Sequence, residues 1–450
     1  MWSHCFVLCL ATLCFFPGTR ALQVVEADSP DDNAPTPEIA RHHGYVCESH
    51  RVTTEDKFIL QLHRLPGGRS TALNTSLAPV LLQHGLLDSS AAWVISGPDK
   101  ALGYLLADQG YDVWMGNARG NIYSKAHETL HPDDPNFWNW TWEEMGRYDL
   151  PAVIDHILQV TGHQQILYIG HSMGTTMFFV LCSSRPEYNA KVRYMAALAP
   201  VAYMGHTTSP LRYLAPYAQS FERIADFFGN GEFLPRNAFI NYIFRYSCEA
   251  FRFEERICEN YLFLLCGHDP EQFDENLLPM ILGHVPAGSS TKTLVHYAQE
   301  IKSNNFQRYD YGAEKNIILY NSTTPPLYNL SEITVPISLH YGDNDLLARP
   351  VDVSSLFSQL KNPVGMFRVN LSSFNHLDFL WGRDARTLVY SKVQSLMGEH
   401  SHSVPAPIAL HRDASTNNLQ FTTPTTRPWG SSVLSKVQTL SDNLISNSIK

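Results

Sequence analysis

Three observations predict an α/β fold with a mostly parallel sheet and an inserted helical segment. Gln165–Cys182 (QILYIGHSMGTTMFFVLC) passes from a short β-branched strand through Gly170-His171-Ser172-Met173-Gly174 into an apolar helix. Upstream, the apolar runs Pro79–Gln83 and Tyr111–Met115 flank a helix-like Ala101–Gln109, and strand, loop, helix, strand is the grammar of a parallel sheet. Downstream, that grammar lapses after Pro200 through Tyr203–Phe306, a stretch dense in aromatics, and returns at Val335–Tyr341 (VPISLHY).

Each element has a local cause. Cys5–Phe16 is an apolar run too short to cross a bilayer, and Pro17, Gly18 and Thr19-Arg20-Ala21 follow it, so residues 1–21 read as a signal peptide. Ala27–Pro37 (ADSPDDNAPTP) is acidic and Pro-rich, and residues 22–38 read as a flexible leader or propeptide that does not pack. Alternation over Val46–Leu65 around Thr53–Lys57 predicts a hairpin with Phe58, Leu60 and Leu62 on one face. Trp142–Val160 has helical spacing from Leu150 onward, with Pro151 in a first turn. Val192–Ala199 is a further strand, so residues 39–202 form the first part of the core. Residues 203–329 read as a mostly helical cap whose rings, Tyr213, Phe227, Phe228 and Phe263 among them, chiefly fill its own core and in part line a groove. Val335–Tyr341, a short Phe367–Asn370 strand and a helix over Asp384–Met397 complete the core within residues 330–398. Residues 399–450, rich in Ser, Thr, Asn and Pro, read as a disordered tail.

Composition excludes several function classes. With 450 residues and 44% hydrophobic side chains the chain can bury a sizeable core, and a net charge of -10 argues against nucleic acid. No phosphate-binding glycine loop and no zinc-ribbon cysteine spacing occur. No stretch after the signal segment suits a transmembrane helix. Five N-x-[ST] sequons, at Asn74, Asn139, Asn321, Asn329 and Asn370, fit the secretory route. Of eight cysteines three lie in the signal segment, which leaves an odd five, so one thiol is unpaired or joins another chain.

The chemistry centres on Ser172. In G-x-S-x-G between strand and helix, a serine is presented on a sharp turn whose glycines allow close backbone approach. Its hydroxyl needs an imidazole to take its proton and a carboxylate to orient that imidazole. In this arrangement the acid and then the histidine follow the serine in the chain, each after a later strand. Asp345 and His376 meet both conditions, with Asp343 a rival for the acid and Asp378 a poorer one. The loop His84-Gly85-Leu86-Leu87, where a strand ends, can aim backbone N–H groups at a bound carbonyl. His127-Glu128-Thr129-Leu130-His131 is a literal H-E-x-x-H, but Pro132 disfavours helix at His131 and the segment reads as an exposed loop rather than a zinc site.

Several motifs together resemble the acid lipase family of gastric and lysosomal lipases. They are His84–Leu87, Gly116-Asn117-Ala118-Arg119-Gly120-Asn121, Glu144-Met145, Tyr148–Ala152, Gly170-His171-Ser172, Asp345-Leu346-Leu347 and Asn375-His376-Leu377-Asp378-Phe379. The resemblance runs from about Ile39 to about Met397. It implies an α/β-hydrolase core with an inserted helical cap, and Ser172, Asp345 and His376 as a catalytic triad. It also implies an oxyanion hole from the N–H groups of Leu86 and Met173, although Met173 stands where the family commonly has Gln. A disulfide between Cys248 and Cys258, with Cys266 free, is implied in the same way. The implied activity is hydrolysis of neutral lipid esters at a lipid–water interface without a cofactor; a catalytically silent lipid carrier is the alternative.

Overall fold

This computed structural model describes residues 31–213, 215–217, 231–234 and 263–401. The signal segment, Cys248, Cys258, Phe227, Phe228 and the tail beyond Ser401 lie outside the described residues.

The sheet begins with a hairpin. β1 (Glu48–Thr53) and β2 (Ile59–Leu65) pair antiparallel around a turn in which Thr54 Oγ1 accepts from Phe58 N–H, and Phe58, Leu60 and Leu62 are buried together. β3 (Val80–Gln83), β4 (Val113–Met115), β5 (Ile166–His171), β6 (Val192–Leu198), β7 (Ile337–Tyr341) and β8 (Pro363–Arg368) complete eight strands in the order β1-β2-β4-β3-β5-β6-β7-β8. From β4 to β8 all neighbours are parallel; β2 joins both its neighbours antiparallel. Every residue of β5 is buried, as a central parallel strand requires. β8 starts earlier than its apolar signal at Phe367–Asn370 suggested, because Pro363-Val364-Gly365 carries no strand signature yet pairs with β7 at the sheet edge, where Pro is tolerated.

Helices cover the sheet. In chain order the principal ones are α1 (Thr36–His42), α2 (Leu102–Ala107), α3 (Leu150–Thr161), α4 (Met173–Ser184), α5 (Leu278–His284), α6 (Thr291–Ser303), α7 (Ala313–Tyr320), α8 (Pro350–Gln359) and α9 (Ser391–His400). α1 corrects the expectation that the leader does not pack. Asp32, Ala34, Thr36 and Pro37 are buried, His284 Nε2 donates to Ala34 O, and Thr36 N donates to Tyr123 Oη. Pro37 sits in the first helical turn, so the prolines that suggested a loose leader instead start a helix. At the other end Ser401 O accepts from Ala78 N, which carries ordered structure two residues beyond the expected tail boundary at 399. Among the insertion's described rings, Tyr297, Phe306 and Tyr309 are buried, and His296 stacks on Trp142 at 3.7 Å, whereas Tyr213 is exposed. No described helix is long and apolar enough to cross a membrane.

Buried titratable groups of two kinds make opposing demands on pH. Burial holds His63, His296 and His340 down to about 3 and His84 to about 4, and His171 well below its ordinary value, so folding keeps these rings neutral. Their contribution is full above the unfolded value of about 6.5 and is lost as pH falls below it. Burial pushes the Asp88 carboxyl up to about 7, and Asp378 to about 8, and it raises Glu144 and Glu300, so folding favours the protonated form of these acids. Their contribution is full below the unfolded carboxyl values near ~4 and is lost as pH rises. Between about pH 4.5 and 6.5 the two trends oppose each other. The melting temperature is therefore expected to vary by no more than about 5 °C across that window and to fall above about pH 8, as calorimetry would show. A steep continuous fall from pH 6.5 to 4.5 would contradict this account.

Candidate active site

Ser172 sits at the turn between β5 and α4, at the carboxyl end of the sheet. Its backbone has φ 50° and ψ -118°, a conformation that side-chain-bearing residues rarely adopt. Neighbouring groups hold the strained turn: Ser172 N donates to Leu198 O at 3.0 Å, and Ser172 O accepts from Thr175 N and Thr175 Oγ1. Space rather than flexibility explains Gly174. A Cβ there would lie 2.3 Å from Gln83 O, so only glycine lets α4 start beside the end of β3.

The structure brings Ser172, His376 and Asp345 into one hydrogen-bonded line. Ser172 Oγ and His376 Nε2 are 2.8 Å apart, and His376 Nδ1 and Asp345 Oδ2 are 2.8 Å apart. Asp345 follows β7 and His376 follows β8, both are buried, and the two loops meet over the end of β5. The other Asp345 oxygen, Oδ1, accepts from Leu347 N at 2.9 Å and Ala348 N at 2.8 Å, which orients the carboxylate. Asp343 instead pairs with Arg368, which holds its carboxyl below the usual range, and Asp378 accepts from Asn375 N. Geometry thus separates three acids that the sequence left as rivals. A serine hydroxyl, an imidazole that can take its proton and a carboxylate that steadies the imidazolium are the parts of nucleophilic acyl transfer.

Two N–H-bearing loops border Ser172. Met173 is the first residue of α4, where an N–H has no carbonyl four residues back to serve. Gly85 packs on the Ser172 turn so closely that a Cβ would lie 3.2 Å from Ser172 Cβ and 3.1 Å from His171 Nδ1, which puts Leu86 beside it in the chain. His84 braces this loop from within: Nδ1 donates to Gly85 O, and Nε2 accepts from Ala118 N at 3.0 Å. The Gly116–Asn121 loop is held in turn by Arg119, whose buried guanidinium reaches Asp149 and Asp56.

The matches to known proteins agree with this geometry. Residues 36–97 match the family described as a partial α/β-hydrolase lipase region, and residues 78–383 match the α/β-hydrolase fold. The chain is 38% identical over 373 residues to gastric triacylglycerol lipase of Rattus norvegicus, covering 82% of this chain and 93% of that one. It is 39% identical over 376 residues to lysosomal acid lipase/cholesteryl ester hydrolase of Homo sapiens, covering 83% and 93%. The chain belongs to the acid lipase family of α/β-hydrolases. Lipase 1 of Drosophila melanogaster is 44% identical over 367 residues, covering 81% of this chain and 79% of that one. A solved structure from Sulfolobus solfataricus shares the fold at 15% identity and a TM-score of 0.50, covering 79% of this chain and 95% of that one.

The remaining predicted sites fall as follows in this acid lipase. His127–His131 forms no helix; His127 Nδ1 accepts from Thr129 N and Leu130 N while Nε2 donates to Asp56 O, so both nitrogens serve the loop. Asn74, Asn139, Asn321, Asn329 and Asn370 are all exposed. Cys47, Cys182 and Cys266 are free thiols. Sequence reasoning passed over His171, treated only as part of the turn. Its Nε2 donates to His376 O at 3.0 Å, which anchors the His376 loop to the end of β5. Only its place in the Gly-His-Ser triplet signalled it.

Proposed function

We propose that this chain is a secreted or lysosomal serine lipase or esterase that hydrolyses neutral lipid esters, triacylglycerol or cholesteryl ester, through an acyl-enzyme on Ser172. The observation that carries the reading is the line Ser172 Oγ, His376, Asp345 with both links at 2.8 Å. The ester class rests on the names of the relatives, gastric triacylglycerol lipase and lysosomal acid lipase/cholesteryl ester hydrolase.

In this mechanism Ser172 attacks the ester carbonyl while His376 Nε2 takes the hydroxyl proton. Asp345 stabilises the imidazolium, and the N–H groups of Leu86 and Met173 receive the oxyanion. His376 returns the proton to the leaving alcohol, and water then releases the acid by the reverse path. The proposed chemistry uses no cofactor. A silent lipid carrier on the same fold is disfavoured by the strained Ser172 backbone, which costs roughly 1–3 kcal/mol and has no use without a nucleophile.

The cap over residues 203–329 would govern access to Ser172 and meet the lipid–water interface. In support, Thr208 N and Ser209 N donate to Leu346 O, and Ala287 N donates to Leu87 O, so parts of it lie against the loops after β7 and β3. The further expectation of movement within Phe221–Phe263 falls almost wholly outside the described residues. The Cys248–Cys258 disulfide, glycosylation at the five exposed sequons and removal of the signal peptide belong to the secretory reading, which the gastric and lysosomal relatives support.

A panel of lipid esters presented to the purified protein tests the assignment. The parent should hydrolyse emulsified triacylglycerol or cholesteryl ester, and a serine-directed phosphonate should abolish this whereas a chelator should not. Hydrolysis of neither ester, with Ser172 unreactive to the phosphonate, would favour the carrier.

A further inference from the structure

An asparagine stands immediately before each loop-borne member of the triad, Asn344 before Asp345 and Asn375 before His376. Both reach the same short strap, Cys266–His268, which lies within the segment read as the cap. The strap follows a helical turn that Gly267 N closes by donating to Phe263 O at 2.8 Å, so the carbonyls beyond it have no helical donor and take theirs from outside. Three in succession do so. Cys266 O accepts from Leu346 N at 3.2 Å and from His376 N at 3.4 Å, Gly267 O accepts from Asn375 Nδ2 at 3.0 Å, and His268 O accepts from Asn344 Nδ2 at 2.8 Å. A Cβ on Gly267 would lie 2.1 Å from Asn344 O and 2.9 Å from Asn375 Cβ, so glycine lets the strap touch both loops.

We propose that Asn344 and Asn375 are positioning residues, whose amides tether the Asp345 and His376 loops to one strap and so fix the 2.8 Å contact between those two side chains. The other bonds of each amide suit that part. Asn375 is buried, and its Oδ1 accepts from Leu377 N at 2.8 Å and Asp378 N at 3.2 Å, which turns Nδ2 toward the strap. Asn344 Nδ2 donates also to Ser373 O at 2.8 Å, so it ties the acid loop to the histidine loop directly as well as through the strap. From the other end of the cap segment, Thr207 Oγ1 donates to Leu346 O at 2.7 Å and Thr208 N does so at 3.0 Å, so the residue after Asp345 is gripped at both its N–H and its carbonyl. The bonds to Cys266 O come from backbone N–H groups that any sequence would supply; the two asparagine amides are the part specific to these side chains. Without them the loops would keep their strands but lose the brace that sets their spacing.

The inference rests on the triad reading, and its test separates the two. Initial rates on a short soluble ester are measured for the parent, Asn344→Ala, Asn375→Ala and the double variant. Each single variant should lose about 10-fold in kcat with KM within about 2-fold of the parent's, because the loss is in alignment rather than in binding. Since both amides act through one strap, the double variant should fall no more than about 2-fold below the slower single one. Gly267→Ala, whose methyl would push the strap from both loops, should lose kcat in the same way. Full kcat in both single variants would overturn the proposal, as would losses that multiply in the double variant or that fall on KM instead. Should Asn375→Ala not fold, because Leu377 N and Asp378 N lose their acceptor, the kcat and KM of Asn344→Ala decide alone, Asn344 being only half-buried. Failure of the triad reading looks different: Ser172→Ala would stay active whatever the asparagine variants do.

Discussion

Asp345→Asn is expected to lower kcat by about 10⁴-fold, and Ser172→Ala or His376→Ala by roughly 10⁴–10⁶-fold, with each variant folding normally. The Asp345 geometry gives the reason. Oδ1 is committed to two backbone donors, Leu347 N and Ala348 N, while Oδ2 faces His376 Nδ1. An asparagine would keep its single oxygen on those two donors and turn its NH₂ toward His376. Nδ1 must then accept, the ring proton moves to Nε2, and Nε2 can no longer take the proton of Ser172. The Ser172→Ala/His376→Ala double variant should be hardly slower than either single one, since the residues act as a unit. Initial rates on a soluble ester measure all of this; losses that multiply in the double variant would refute it.

Arg119→Met should destabilise the fold by about 3–5 kcal/mol, a loss large enough to unfold many domains. Arg119 is buried, its Nε donates to Asp149 Oδ1 at 2.7 Å, and Nη1 and Nη2 reach Asp56 at 2.6 and 2.8 Å. Burial disfavours its charge, but Asp149 and Asp56 more than offset this and hold its pKa up. Methionine would fill much of the volume over the Phe58 ring, 4.1 Å from the guanidinium, yet leave Asp149 buried with no cation. Asp56→Asn should cost clearly less, because Asp56 is 29% exposed and water can replace part of the bond. Arg119→Lys should not rescue fully, since one ammonium cannot fork to two carboxylates. Urea unfolding gives the comparison. Equal stability of Arg119→Met and parent would show that the ion pair contributes no net stability over an apolar replacement.

The fold was legible where local chemistry and tertiary role agree. β5 is buried on both faces, so its apolar run Ile166–Ile169 announces it directly, and Phe58, Leu60 and Leu62 alternate because one face of the hairpin meets the core. The start of the edge strand β8 and the helix α1 were hidden in Pro-containing segments, where sequence signals turn or loop and only the partners decide otherwise.

For the site, the sequence by itself determined the sharp turn at Ser172 and the family. Gly170-His171-Ser172-Met173-Gly174 is a local solution to a local constraint, and so can be read from adjacent residues. The sequence favoured Asp345 over Asp343 and Asp378 by position and resemblance, and the contact with His376 Nδ1 itself is visible only in the tertiary structure. All three are acids near later strand ends, and what separates them is which one meets His376 Nδ1 across a gap of 31 residues. The same holds for His171 and His84. Their partners, His376 O and Ala118 N, are 205 and 34 positions away, so no local pattern could record those bonds. Short-range sterics leave their mark on neighbouring letters; long-range hydrogen bonds exist only once the sheet has brought its loops together.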